Sequence, residues 1–132
     1  MIPQRQSPES EHRFALTIWA VLLLSLGMYF VVIRLVRPEH AVDNPALVRI
    51  LLVLAAANAA ASFLVKKSFQ SRAASLNKPV LRRTGFLIAL VLCEAAGLLG
   101  VVAWFTTASP LYYVFLLIGF VAMLLHFPTR AE

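Results

Sequence analysis

The sequence predicts an all-α fold, a four-helix transmembrane bundle, on three observations. Hydrophobic residues make up 61% of the chain and charged residues 14%, against about 45–50% and about 25% in soluble domains. The apolar residues gather into four runs, 14–33, 46–65, 84–105 and 111–127, near the roughly 20 residues that a bilayer requires of a helix. Apart from Arg49, which sits one turn inside the second run and can snorkel to the headgroups, basic residues flank these runs, as topology signals do. A chain of 132 residues suits a single domain, with polar tails at 1–13 and 128–132.

The first run carries no charge from Phe14 to Ile33. A cleaved signal peptide has an apolar core of about 7–15 residues followed by small residues at the cleavage site. This run is longer and continues into VVIRLVRPEH, so it reads as a retained span. Ser25, Gly27 and Tyr29 interrupt it, and Ser25 can bond back to its own helix, so the residue type alone marks no site. Pro38 and Pro45 bracket the first loop, where Asp43 or Asn44 can cap the next helix. The second run is rich in small residues through AAANAAAS. Small residues let helix backbones approach closely in lipid, so this helix is expected inside the bundle, with Asn58 near its midpoint.

The second loop is the most basic segment, with Lys66, Lys67, Arg72, Lys78, Arg82 and Arg83 and no acid between them. Its ends are expected to extend the flanking helices, with a turn near Asn77-Lys78-Pro79. Arg5, Arg13 and Arg130 add to that side, whereas Arg34, Arg37 and Arg49 fall on the other. The excess places both termini and the second loop in the cytoplasm, an N-in/C-in multi-pass protein of a cell inner membrane. Trp104, Tyr112 and Tyr113 then serve as outer aromatic anchors and Trp19 lies toward the inner side. A net charge of +6 distributed in this way points to membrane lipids as partners rather than nucleic acid.

Glu94 is the chemical focus. It is the only acid in the run 84–105, and a charge at the bilayer centre costs on the order of 3 kcal/mol or more. Such a carboxylate either takes up and releases a proton or cation, or stays neutral and ties helices together. Asn58 is its expected partner, since its amide can donate to a carboxylate or accept from a carboxyl. Gly85, Ala89, Cys93 and Gly97 recur every four residues, and Ala96 and Gly100 form a second such pair. This is a helix-packing face for a neighbour in the bundle or in an assembly of copies or other membrane subunits. Cys93, within it, reads as a packing residue. His12, His40 and His126 share no ligand spacing, so no metal site is expected. With no Gly-rich phosphate loop, CxxC, HExxH or GxSxG, neither an enzyme nor a cofactor is expected.

The segment LVLCEAAGLLGVVAWF resembles the outer helix of the c-subunit of rotary ATP synthases, in which an essential Glu is followed by Ala and, six residues on, by Gly. Here these are Glu94, Ala95 and Gly100. The resemblance spans residues 46–105 and includes a basic loop containing Pro79. The family's inner helix has glycines at every second position, where this chain has LAAANAAAS. The resemblance implies that Glu94 is the ion-carrying carboxylate of an oligomeric ring. The chain as a whole also resembles small four-span bacterial inner-membrane proteins that end in an HFP-type segment.

Overall fold

The computed structural model describes residues 7–129. Arg5 and Arg130, two of the residues behind the charge asymmetry, lie outside the described residues, as do the rest of 1–6 and 130–132. The described chain is all-helical, with α1 Pro8–Leu35, α2 Pro45–Leu76, α3 Pro79–Thr107 and α4 Tyr112–Leu125. The first three are long and apolar enough to cross a membrane.

Local chemistry sets the boundaries. Helix α1 starts earlier than the apolar pattern suggested, because Ser7-Pro8-Glu9-Ser10 is itself a helix start. The Ser7 hydroxyl accepts from the Ser10 amide, Pro8 occupies the first turn, and Glu9 and Glu11 face the positive end of the dipole. The segment expected as a polar tail is thus helical from Pro8 onward. Asn44 caps α2, its Oδ1 accepting from the Leu47 amide at 3.1 Å. Helix α2 then runs through the basic segment to Leu76 and ends at Asn77, whose φ of 51° is left-handed, a conformation that Asn tolerates well. Lys78 is extended, the conformation favoured before proline, and Pro79 opens α3. The turn between these two helices is therefore only two residues long.

Helix α4 is shorter than expected. It has 14 residues, about 21 Å at 1.5 Å per residue, against about 30 Å of hydrocarbon. The chain leaves the helix at His126 and Pro128 follows at once.

The four helices pack as a rhombus rather than a square. Every pair is in contact except α1 with α2, which are kept apart by α3 and α4. Glycines create the short diagonal. A Cβ added to Gly119 of α4 would lie 2.8 Å from the Cys93 carbonyl oxygen and 3.1 Å from the Gly97 nitrogen. The backbones of α3 and α4 are therefore nearly in contact. One cluster joins α1, α3 and α4 through Leu26, Leu90, Cys93 and Met123. A second joins α2, α3 and α4 through Leu51, Ala55, Ala96 and Phe115.

This arrangement corrects the expectation that the Ala-rich α2 would occupy the interior. The inner helix is α3, which buries ten residues, whereas α2 buries five. Ala56, Ala57 and Ala60 of α2 are exposed. Close approach requires small residues to be placed where another helix arrives, and a run of alanine surrounds the whole helix instead of lining one side.

Candidate functional site

Three helices are nearly free of charge along one continuous layer. On α1 the charge-free stretch from Phe14 to Ile33 lies between Arg13 and Arg34, a length of about 30 Å at 1.5 Å per residue. Lys66 and Arg83 close the layer at the same end as Arg13. The Arg83 guanidinium sits 3.8 Å over the Phe14 ring, joining α3 to α1, and the Lys66 ammonium sits 5.9 Å over Phe86, joining α2 to α3. Lys67, Arg72, Lys78 and Arg82 are exposed on the hairpin that projects beyond this level.

Glu94 lies within the layer, about 20 Å along α3 from Thr107. It is half-buried, and its partners come from α1. The Ser25 hydroxyl donates to its Oε1 at 2.6 Å and the Tyr29 hydroxyl donates to the same atom at 2.8 Å. Ser25 and Tyr29 are four residues apart, so both point along one face of α1. Two donors on Oε1 make it the acceptor oxygen of the group. In the acid form the proton would then reside on Oε2. Among the described residues no side chain bonds Oε2, and it is not sealed from the surface.

The expected Asn58–Glu94 pairing is absent. Asn58 is half-buried on α2, and α2 meets the opposite flank of α3. Ala96, which packs in the cluster with Ala55 of α2, is two residues after Glu94, about 200° around the helix. A residue facing α1 at position 94 therefore cannot also face α2. Ser25 and Tyr29 are the residues that sequence reasoning missed. Their i, i+4 spacing in an otherwise apolar helix was the available signal.

The small-residue positions are buried together, but they serve different neighbours. A Cβ on Gly85 would collide with Phe69 of α2, one on Gly97 with Leu26 of α1, and one on Gly100 with Phe115 of α4 at 2.6 Å. Ala89 and Cys93 are fully buried between them.

A second polar group sits where α4 ends inside the layer. A helix terminus leaves carbonyls without intrahelical partners, and in hydrocarbon these must be satisfied internally. The Trp19 indole N–H donates to the Met123 carbonyl at 2.8 Å. Beside it, Ser62 and His126 form a buried pair, Oγ to Nε2, at 2.9 Å. The Ser62 hydroxyl hydrogen is committed to the Ala59 carbonyl at 2.6 Å, so Nε2 is the donor to Ser62 Oγ. A serine whose oxygen accepts from histidine is not activated as a nucleophile. Phe63 stacks on the imidazole at 4.4 Å and Trp19 meets Phe127 edge-on at 4.9 Å. The cluster satisfies and seals a helix end.

No family model, curated protein or solved structure matches this chain. The likeness to the c-subunit hairpin rests on the residues quoted above.

Proposed function

We propose that the protein is an integral membrane bundle, N-in/C-in, whose Glu94 takes up and releases a proton within the membrane. The observation that carries this reading is the asymmetric bonding of Glu94. One oxygen is fixed by Ser25 and Tyr29, while the other has no partner among the described residues. The hydroxyls hold the carboxyl group in place, and the second oxygen stays available to a proton or small cation. A carboxylate used only as glue would gain by bonding both oxygens, since an intramembrane acid is costly. The same site in an assembly of several copies would be the ring-like arrangement that the c-subunit resemblance implies.

The second reading is a non-catalytic scaffold or accessory subunit of a larger membrane complex. It is favoured by the way α1 is held. Its long-range side-chain hydrogen bonds are Trp19 to Met123, the Glu94 pair, and Trp104 to the Val36 carbonyl just beyond its end. On that reading Glu94 is a tie.

Glu94→Gln separates the two, because a Gln carbonyl still accepts from both hydroxyls but cannot be protonated as an acid. In proteoliposomes carrying an acid-loaded gradient, proton handling predicts flux in the wild type and loss of flux in E94Q. A carboxyl-reactive carbodiimide should also modify the wild type selectively at Glu94, and faster at low pH. Absence of labelling in native membranes, or equal flux in E94Q, leaves the scaffold as the surviving account.

A further inference from the structure

The opposite end of the bundle holds a site that the chemistry of Glu94 does not use. A cavity of about 480 Å³ opens between the end of α1, the strap that follows it, the end of α3 and the start of α4. This volume lies in the range of about 300–1,000 Å³ typical of small-molecule pockets. Arg34 and Arg37 line it, opposite the aromatic side chains of Trp104 and Tyr112, with Ile33 and Pro38 supplying apolar surface.

Three features point to an anion. No carboxylate lines the cavity. The only ion pair within 4 Å among the described residues is Arg13 with Glu9 at the far end of α1, so Arg34 and Arg37, both exposed, form no ion pair with a described residue. The Tyr112 hydroxyl likewise makes no hydrogen bond among the described residues, which leaves it as a further donor. Arg34 lies in the last turn of α1, where the helix dipole favours a cation. That accounts for Arg34, but not for Arg37, which lies beyond the helix, nor for the aromatic wall.

The walls are fixed in advance. The Trp104 indole donates to the Val36 carbonyl at 3.0 Å, and the Val42 amide donates to the Thr106 carbonyl at 3.1 Å. These bonds clamp both ends of the strap to α3. Tyr112 packs edge-on against Trp104 at 5.2 Å. Preorganisation of this kind reduces the entropy lost on binding.

We propose that this cavity binds a phosphate-bearing anion, held by Arg34 and Arg37 through charge-assisted hydrogen bonds. Guanidinium groups match phosphate oxygens in a planar fork. Two sources share this chemistry, the phosphodiester of an anionic lipid headgroup and free phosphate. The aromatic and apolar walls, at the end of a layer with the dimensions of a bilayer, match a headgroup carrying its glycerol.

The test is native mass spectrometry of the full chain in neutral detergent, titrated with phosphatidylglycerol or phosphatidylcholine of matched acyl chains. The wild type should bind phosphatidylglycerol more tightly than phosphatidylcholine. Arg34→Gln/Arg37→Gln should lower the phosphatidylglycerol affinity about ten-fold and remove the preference. Lys67→Gln/Arg72→Gln, which removes the same charge at the other end, should keep it. Should the double arginine variant fail to fold, Arg37→Gln alone, outside the helix, should still weaken the preference several-fold. A further arm adds millimolar inorganic phosphate. Full displacement of the lipid identifies free phosphate as a sufficient ligand, and retention identifies the headgroup. Equal binding of the two lipids by the wild type, a preference surviving in the arginine variants, or an equal loss in the K67Q/R72Q control overturns the proposal.

Discussion

Gly119→Ala tests the packing on which the site depends. The added methyl would lie 2.8 Å from the Cys93 carbonyl oxygen, 3.1 Å from the Gly97 nitrogen and 3.4 Å from its Cα. All three are backbone atoms, so no side chain can rotate away. An ordinary carbon–oxygen contact is about 3.3–3.6 Å, so α3 and α4 must separate by roughly 0.5 Å. A gap of that size forfeits about a quarter of the dispersion energy across the seam, and overpacking of this sort costs about 1–3 kcal/mol. Alanine also gains about 1 kcal/mol of helix propensity over glycine, which would mask part of the loss. Gly27→Ala on α1 provides the reference. It meets nothing within 4 Å, so it should show the propensity gain alone. The difference between the two variants, about 1–3 kcal/mol with G119A the less stable, isolates the contact. Reversible unfolding in mixed micelles, followed by far-UV circular dichroism, measures it. Equal stability of G119A and G27A would refute the claim that these backbones touch.

Ser62→Ala removes the acceptor of the His126 Nε2–H in a fully buried position, and a loss of about 1–3 kcal/mol in the same unfolding assay is expected. Trp19→Phe keeps an aromatic ring beside Phe127 but removes the donor to the Met123 carbonyl, so a smaller loss, about 1 kcal/mol, should follow. Tyr29→Phe frees Oε1 of one of its two donors, and carbodiimide modification of Glu94 should accelerate several-fold, with a loss of stability of about 1 kcal/mol. An unchanged modification rate would mean that the Tyr29 hydroxyl does not hold the carboxylate.

The helices were legible because their signals are local. Apolar length gave the three long segments, Asn44-Pro45 marked the start of α2, and Asn77-Lys78-Pro79 marked the turn. The limits of α1 and α4 were less legible. The cap at Ser7 lies in a stretch whose composition reads as a tail. The end of α4 is set by the Trp19–Met123 and Ser62–His126 bonds, which join residues far apart in the chain. The apolar run continues to Phe127, but the helix stops where these partners can receive it.

The choice of partner for Glu94 was not legible, and the reason is geometric. Four helices can be placed around one another in more than one order, and each order turns a different flank of α3 toward α1 and α2. Sequence proximity favours α2, which is joined to α3 by a two-residue turn, and Asn58 is its conspicuous polar residue. What excludes Asn58 is the glycine contact between α3 and α4. With Gly119 set against Cys93 and Gly97, α4 fills the space in front of α3, and α1 and α2 are displaced to opposite flanks. Glu94 lies on the α1 flank, where Ser25 and Tyr29 are the hydroxyls within reach. Widening the α3–α4 seam would therefore disturb the carboxylate through the position of α1, although Gly119 itself never touches it. Carbodiimide modification of Glu94 in the G119A variant tests this link: an altered rate is expected, and a wild-type rate together with a measured loss of stability would show that the seam and the carboxylate are independent.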